Sequence, residues 1–159
     1  FLLSLIISSC ESNKNIASAN EPMELIKMER LAEHKIADGD ESNFKLAVTE
    51  SSLLNAATQF IMDSNNDERV SFKYKIETIG SNKFLRLYRE DGMITTVAIN
   101  YNPEKGAYYT GNTICTSSSK SNGCIPDGKA CSKIDNDHSD GQCTKTSVAY
   151  YDDKLTIRQ

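Results

Sequence analysis

Four cysteines in the last third of the chain could form either disulfides or a metal site. They are separated by eight, six and eleven residues and are Cys115, Cys124, Cys131 and Cys143. Structural zinc sites usually present close pairs such as C-x2-C, and this segment has none. The same absence argues against a C-x-x-C redox enzyme. The segment is polar and contains few apolar residues, so it needs a staple to stay ordered, and an even number of cysteines favours disulfides over zinc.

The pairing of these cysteines is not determined by the sequence, because four cysteines allow three pairings. We expect the nested one, Cys115–Cys143 and Cys124–Cys131. In that arrangement the outer bridge clamps the base of an insertion, the cysteine-rich loop 115–143, where two strands of one sheet meet. The inner bridge then closes a smaller loop.

The fifth cysteine, Cys10, follows an apolar run that ends in two small residues, which is typical of the end of a secretory signal. The stretch Ile7-Ser8-Ser9-Cys10 resembles the lipobox of bacterial lipoproteins. The resemblance implies a signal-peptide remnant over 1–9 and a lipidated tether over 10–20, attached to the membrane by acyl chains on Cys10. The alternative is an internal cysteine in a buried segment.

Export by this route implies an outer-membrane lipoprotein of the cell envelope, facing either the periplasm or the cell surface. An oxidising space outside the inner membrane would also favour disulfides.

A second resemblance covers 34 residues around the four cysteines, from Thr113 to Thr146. With Gly123, Pro126 and the run Cys143-Thr144-Lys145-Thr146, this segment is similar to a cysteine segment of uncharacterised secreted proteins and lipoproteins of Bacteroidota. The resemblance implies export and a compact cysteine module, and it implies no catalytic activity.

Length and charge fit one domain with a tether. The chain has 159 residues and a net charge of −4, so we place a single domain over 21–159. A mildly acidic balance argues against a nucleic-acid partner, which would need a basic face, and we therefore expect no nucleic-acid binding.

Hydrophobic spacing predicts two helices. Residues 21–37 have Pro22 near the start, Gly39 just beyond the end and apolar residues at roughly helical spacing, which predicts an N-terminal helix. Residues 50–62 follow a good N-cap, Thr49, and present a single apolar face with a 3.6-residue period: Leu53, Leu54, Ala57, Phe60 and Ile61. This main helix should pack on the sheet, with Phe60 buried.

The period then changes to two, which predicts antiparallel strands joined by short turns. Phe44–Val48 is a further short strand. Asp91-Gly92 predicts a two-residue type I′ hairpin turn, and Phe72, Tyr74 and Val97 should be buried against the helix. The predicted fold class is α+β: an antiparallel β-meander of about four to six strands, one main helix on one face, an N-terminal helix and a disulfide-stapled loop insertion.

Other residue types with possible chemistry form no complete motif. Asp135, Asp137 and Asp140 could contribute to an irregular calcium site, but glycine falls one position late for an EF-hand. The two histidines, His34 and His138, have no motif that pairs them with a nucleophile. We therefore assign no catalytic residue and expect no cofactor.

Two functions are compatible with the sequence. The first is a lipid-anchored binding or interaction module whose stapled loop contacts a protein or a glycan, since loops on rigid scaffolds often carry function. The second is a small extracytoplasmic hydrolase that uses carboxylates or a metal. We expect the first.

Overall fold

A computed structural model describes residues 24–65, 72–118, 121–134, 141–151 and 154–158. Cys10 and the proposed signal and tether lie outside the described residues, as do His138 and the calcium candidates Asp135, Asp137 and Asp140.

The described chain contains one helix and ten strands. The helix, α1, spans Glu50–Asn65. The strands are β1 Lys35–Asp40, β2 Asn43–Leu46, β3 Phe72–Ile79, β4 Asn82–Arg89, β5 Ile94–Asn102, β6 Ala107–Ser117, β7 Cys124–Asp127, β8 Ala130–Lys133, β9 Cys143–Tyr151 and β10 Lys154–Arg158. The predicted main helix and meander strands are confirmed, and the fold is mostly antiparallel β-sheet rather than a balanced α+β fold.

The main sheet is a half-barrel of six antiparallel strands in the order β10-β9-β6-β5-β4-β3. Strands β3 to β6 are consecutive hairpins, because the turns between them are too short for any other connection. Strand β9 returns to pair with β6, so segment 115–143 is an insertion between neighbouring strands, as predicted.

Strand β6 has a divided outer edge. Its first residues, Ala107–Tyr109, pair with β1, and its last residues, Thr113–Ser117, pair with β9. Strand β2 then extends the sheet as a hairpin partner of β1.

Helix α1 covers one face of the sheet, which we call the helix face. Ser52 donates its backbone N–H to Thr49 Oγ1 (3.3 Å), which confirms Thr49 as the N-cap. Phe60 is 5% exposed and Val97 is fully buried, so both belong to the core as predicted. Phe72 and Tyr74 are only half-buried against it, because β3 is the last strand of the main sheet and has a neighbour on one side only.

The predicted N-terminal helix over 21–37 is wrong for the residues that the structure describes. Residues 24–34 form no helix, and β1 begins at Lys35. Ile26 forms a parallel bridge with Val48 instead, and Glu33 has a φ of 50°. Tertiary pairing therefore overrides local helix preference here, and the extended course still buries the apolar residues Met28, Leu31, Ala32 and Ile36.

The Asp91-Gly92 turn differs from its prediction. The Gly92 N–H donates to the Arg89 carbonyl (3.1 Å), and the Arg89 N–H donates to the Met93 carbonyl (3.0 Å). Only Gly92 of the two central residues has a positive φ, 83°. The connection is thus a three-residue loop built on a type I turn with glycine in the left-handed position, and not a two-residue type I′ turn.

Candidate functional site

Two disulfides hold the cysteine-rich segment. Cys115 pairs with Cys131 and Cys124 pairs with Cys143, with Cα–Cα distances of 5.7 and 5.8 Å. The prediction of two disulfides is confirmed, while the nested pairing, Cys115–Cys143 and Cys124–Cys131, is wrong. Such bridges indicate folding in an oxidising environment.

The strand registers explain why the nested pairing fails. Cys143 lies opposite Ser117 on β6, and Cys115 lies opposite Lys145, so the two cysteines are diagonal neighbours two residues apart in register. Diagonal neighbours on adjacent strands are about 7–8 Å apart, which is too far for a disulfide. Cys124 and Cys131 are offset in the same way within the β7–β8 hairpin.

The hairpin of β7 and β8, residues 124–133, packs on the sheet face opposite the helix. We call this unit the cystine hairpin and the face beneath it the cystine face. Strand β7 contacts β5 and β6, while β8 contacts β6 and β9. Each disulfide joins one strand of the hairpin to the sheet below it, and the crossed pairing therefore fixes the hairpin at both strands.

Arg86 on β4 ties the chain just before the hairpin to the sheet. Its side chain is buried, donates from Nη1 to Glu77 Oε2 (2.6 Å) and donates from Nη2 to the Asn122 carbonyl. A Cβ at Gly123 would collide with the guanidinium, and Gly123 has a φ of 107°. Glycine is therefore required where the chain passes Arg86.

Glu77 accepts two hydrogen bonds, one from Arg86 and one from the Tyr88 hydroxyl (3.0 Å). Partial burial alone would raise the pKa of the Glu77 carboxyl, but these hydrogen bonds and the Arg86 charge outweigh it and hold the pKa below its ordinary value. Burial and the bond to Glu77 raise the pKa of Tyr88. These contacts hold Arg86 in place, and Arg86 in turn holds the chain at Asn122, just before the cystine hairpin.

A cleft opens between the turn of the cystine hairpin and the sheet, with a volume of about 230 Å³. We call it the asparagine cleft. Its sheet side carries three asparagine side chains, and its hairpin side is formed by the β7 end and the following turn. These lining residues are Asn82, Asn100 and Asn112 on one side and Pro126, Asp127 and Gly128 on the other.

An irregularity between β5 and β6 forms the floor of the asparagine cleft. The register shifts between Val97 and Ile99, so that Ala98 on β5 faces three residues of β6, Gly111–Thr113. Gly111 keeps the floor open: a Cβ there would lie 3.4 Å from Asn100 Nδ2 and 3.7 Å from the Ala98 Cβ. Bulged positions next to functional sites are a common way to redirect side chains.

The three asparagine side chains are exposed, and none of them hydrogen-bonds to another residue in the described part of the chain. Each amide offers two donors and one acceptor oxygen. Lys83 and Asp127 add one positive and one negative charge to the lining. The cleft is thus polar, nearly neutral and rich in unused hydrogen-bonding groups.

A further depression adjoins the cleft on the cystine face, shares Asn100 with it and includes Tyr109, which lies opposite Asn100 in the β5–β6 register. Tyr101 pairs with Tyr108 and packs against the core on the helix face. The Tyr109 ring is half-buried, and Lys105 Nζ lies 5.0 Å from its centre. Aromatic surface therefore adjoins the amide-lined cleft.

The remaining candidate, His34, lies just before β1 and does not line the cleft. Its backbone N–H donates to Thr110 Oγ1 (3.0 Å), and its ring Nε2 is 3.3 Å from the Lys27 carbonyl. Burial lowers the pKa of the His34 ring. Its contacts give it a structural role in joining the N-terminal segment to β6.

Among the described residues, no cluster of three or more His, Cys, Asp or Glu side chains is arranged to hold a metal ion. The helix of the described chain is not long and apolar enough to cross a bilayer.

The three asparagines belong to no motif that would mark them as site residues in the sequence. Two of them, Asn100 and Asn112, lie inside strands, where asparagine is disfavoured. An asparagine inside a predicted strand is therefore the sequence feature that could have identified Asn100 and Asn112 as candidate site residues.

Comparison of the chain with known protein families, with curated proteins and with solved structures found no match.

The crossed disulfides can be tested by tryptic mapping without reductant. Cleavage after Lys120, Lys129, Lys133 and Lys145 places each of the four cysteines on its own peptide. We expect peptide 106–120 linked to 130–133, and 121–129 linked to 134–145. Linkage of 106–120 to 134–145 would restore the nested pairing, and four alkylatable thiols would contradict both pairings.

The Glu77 cluster predicts a pH-dependent contribution to stability. Because the folded-state pKa of Glu77 is lowered, its contribution is present above the ordinary glutamate value of 4.5 and is lost as the pH falls through the folded pKa. Glu77→Gln should lower the free energy of unfolding at neutral pH by about 1 kcal/mol, a value reduced for partial exposure.

Urea denaturation across the acid range measures this effect. The difference between wild type and Glu77→Gln should shrink toward zero in acid, whereas the exposed Glu90→Gln should change stability little at any pH. A difference for Glu77→Gln that does not vary with pH would mean that the carboxylate charge does not stabilise this cluster.

Proposed function

We propose that this protein is a lipid-anchored binding module of the cell envelope, and that the asparagine cleft is its binding site. The observation that carries the proposal is a set of three exposed amides that line one cleft, Asn82, Asn100 and Asn112, whose side chains have no hydrogen-bond partner among the described residues. Sites for small ligands combine a concave shape with a few polar groups that fix orientation.

The cystine hairpin supports this proposal because it makes one wall of the cleft rigid. Pro126, Asp127 and Gly128 stand at the hairpin tip, and both strands behind the tip are joined to the sheet by disulfides. A wall that does not need to be ordered on binding lowers the entropic cost of association. The stapled loop is thus the proposed contact region.

The proposed location has independent support from two features. Ile7-Ser8-Ser9-Cys10 resembles a lipobox, and the disulfides indicate an oxidising environment. We infer that acyl chains on Cys10 attach the protein to the outer membrane, with the polar residues after Cys10 as a tether. The domain would then project into the periplasm or from the cell surface.

Filling the cleft should abolish binding without unfolding the protein. In Gly111→Val the new side chain occupies the floor beside Asn100. An NMR titration of the labelled domain with a mixed panel of oligosaccharides and short peptides measures binding. Signals from residues lining the cleft, such as Ala98 and Asp127, should shift in wild type and should not shift in Gly111→Val.

Thr78→Val is the matched control, because Thr78 is exposed on β3 and does not line the cleft. It should bind as wild type does. Shifts confined to other surfaces, or binding that survives Gly111→Val, would show that the cleft is not the site. Cleavage of an oligosaccharide during the titration would favour the alternative, a small extracytoplasmic hydrolase.

The anchor is tested separately by Cys10→Ser in cells that express the full precursor with its signal. The variant cannot be acylated at residue 10 and should move from the membrane fraction to the soluble fraction, since acyl chains supply roughly 0.8 kcal/mol per buried CH₂. Ser12→Ala, two residues further on, should stay in the membrane fraction. Retention of Cys10→Ser in membranes after a high-salt wash would contradict lipidation.

A further inference from the structure

We propose that the asparagine cleft recognises a neutral oligosaccharide, with one sugar ring in the cleft and its neighbour beside Tyr109. This inference rests on the proposed binding function and names its ligand class. It depends on the combination of hydrogen-bonding groups, charge and aromatic surface around Asn100.

The hydrogen-bonding groups of the cleft match those of a sugar ring. A sugar ring presents adjacent hydroxyls, each of which can both donate and accept. The cleft presents Asn82, Asn100 and Asn112, whose amides also both donate and accept and have no partners among the described residues. Cationic or purely acceptor ligands would leave half of these groups unused.

The charged residues that line the site do not suit an anionic ligand. Among the described lining residues, Lys83 and Asp127 are the charged groups, one of each sign. An anionic ligand, such as a uronic-acid polymer or a phosphate, would need a surplus of positive charge. The described lining of the cleft has no such surplus, and the depression beside Tyr109 adds the carboxylate of Glu104, so the site disfavours an anionic ligand.

The cleft and its surroundings present rings on which a sugar can pack. Sugar rings have apolar C–H faces that pack on aromatic rings and on proline. Pro126 lies in the cleft, and Tyr109, opposite Asn100 and on the same face of the sheet, lines the depression that shares Asn100 with it. The cleft and the depression beside Tyr109 adjoin each other, which suits linked rings better than a single small molecule.

The position of the cleft argues against a peptide ligand. Extended peptides are commonly bound by adding a strand at a sheet edge. The asparagine cleft instead lies on a face of the sheet, above the paired strands β5 and β6. No strand edge of the described sheet is free there, because β5 lies between β4 and β6, and the exposed amides are the main hydrogen-bonding side chains of the cleft.

The test is an NMR titration that follows the side-chain NH₂ signals of the asparagines. The probes are chitotetraose, cellotetraose and mannotetraose as neutral saccharides, tetragalacturonate as an anionic one, and tetra-alanine as a peptide. At least one neutral tetrasaccharide should shift the signals of Asn100 and Asn112 at millimolar concentration. Asn100→Ala and Asn112→Ala should each weaken its binding about five- to tenfold, the loss expected for one or two hydrogen bonds.

Asn55→Ala is the control, because Asn55 is exposed on α1, on the other side of the sheet, and its loss should leave affinity unchanged. Asn100→Asp adds a second variant, which keeps the shape and an acceptor but removes the donors, and it should also weaken binding.

The outcomes separate the two proposals. Cleft shifts with tetra-alanine alone, or with tetragalacturonate in preference to every neutral probe, would overturn the neutral-oligosaccharide inference and leave the binding function standing. Saccharide binding that is unchanged in Asn100→Ala and Asn112→Ala would also overturn it. If no probe shifts the cleft signals, both the ligand class and the cleft as a binding site are rejected.

Discussion

The backbone pairing of β6 is the interaction on which the rest of the structure depends. This strand pairs with β5 along one edge, and its other edge is divided between β1 and β9. Because β9 uses only the last five residues of β6, the first part of the edge is open to the N-terminal segment. That segment therefore forms a strand rather than the helix that its apolar spacing suggests.

The same strand determines the disulfide pairing and the cleft. Its register with β9 places Cys115 and Cys143 diagonally, so each must find its partner in the hairpin above the sheet. Its irregular register with β5 gives three residues of β6 opposite Ala98, which opens the floor of the asparagine cleft. One strand thus connects the fold, the cystine hairpin and the candidate site.

The parts of the fold that could be predicted are those determined by local patterns. Helix α1 has a cap at Thr49 and a single apolar face, and β3 to β6 alternate between apolar and polar residues, so these elements were identified from the sequence. The segment 24–37 was mistaken for a helix because the spacing of Met28, Leu31, Ala32 and Ile36 fits a helix. Their burial instead follows from contacts with residues distant in sequence, including the bridge between Ile26 and Val48.

The candidate site was less predictable than the fold, for the same reason. Disulfide formation follows from the number of cysteines and their setting, but the choice of partners depends on the registers of two separate hairpins. The cleft brings together Asn82, Asn100 and Asn112 from three strands, and no local motif joins them. Only the presence of asparagine inside predicted strands pointed to two of them, Asn100 and Asn112.

The proposed site also couples function to the compartment in which the protein folds. The cystine hairpin is polar, with Ile125 as its main aliphatic side chain, so its own packing contributes little to holding it on the sheet. Loops of the size closed here, with separations of 16 and 19 residues, make each disulfide worth about 3 kcal/mol. Without these bridges the wall formed by Pro126, Asp127 and Gly128 would lose its main attachments, while the helix face would keep its apolar core. Under reducing conditions the domain should therefore retain its sheet and lose the cleft, which makes an oxidising compartment a requirement for the proposed binding site rather than for the fold as a whole.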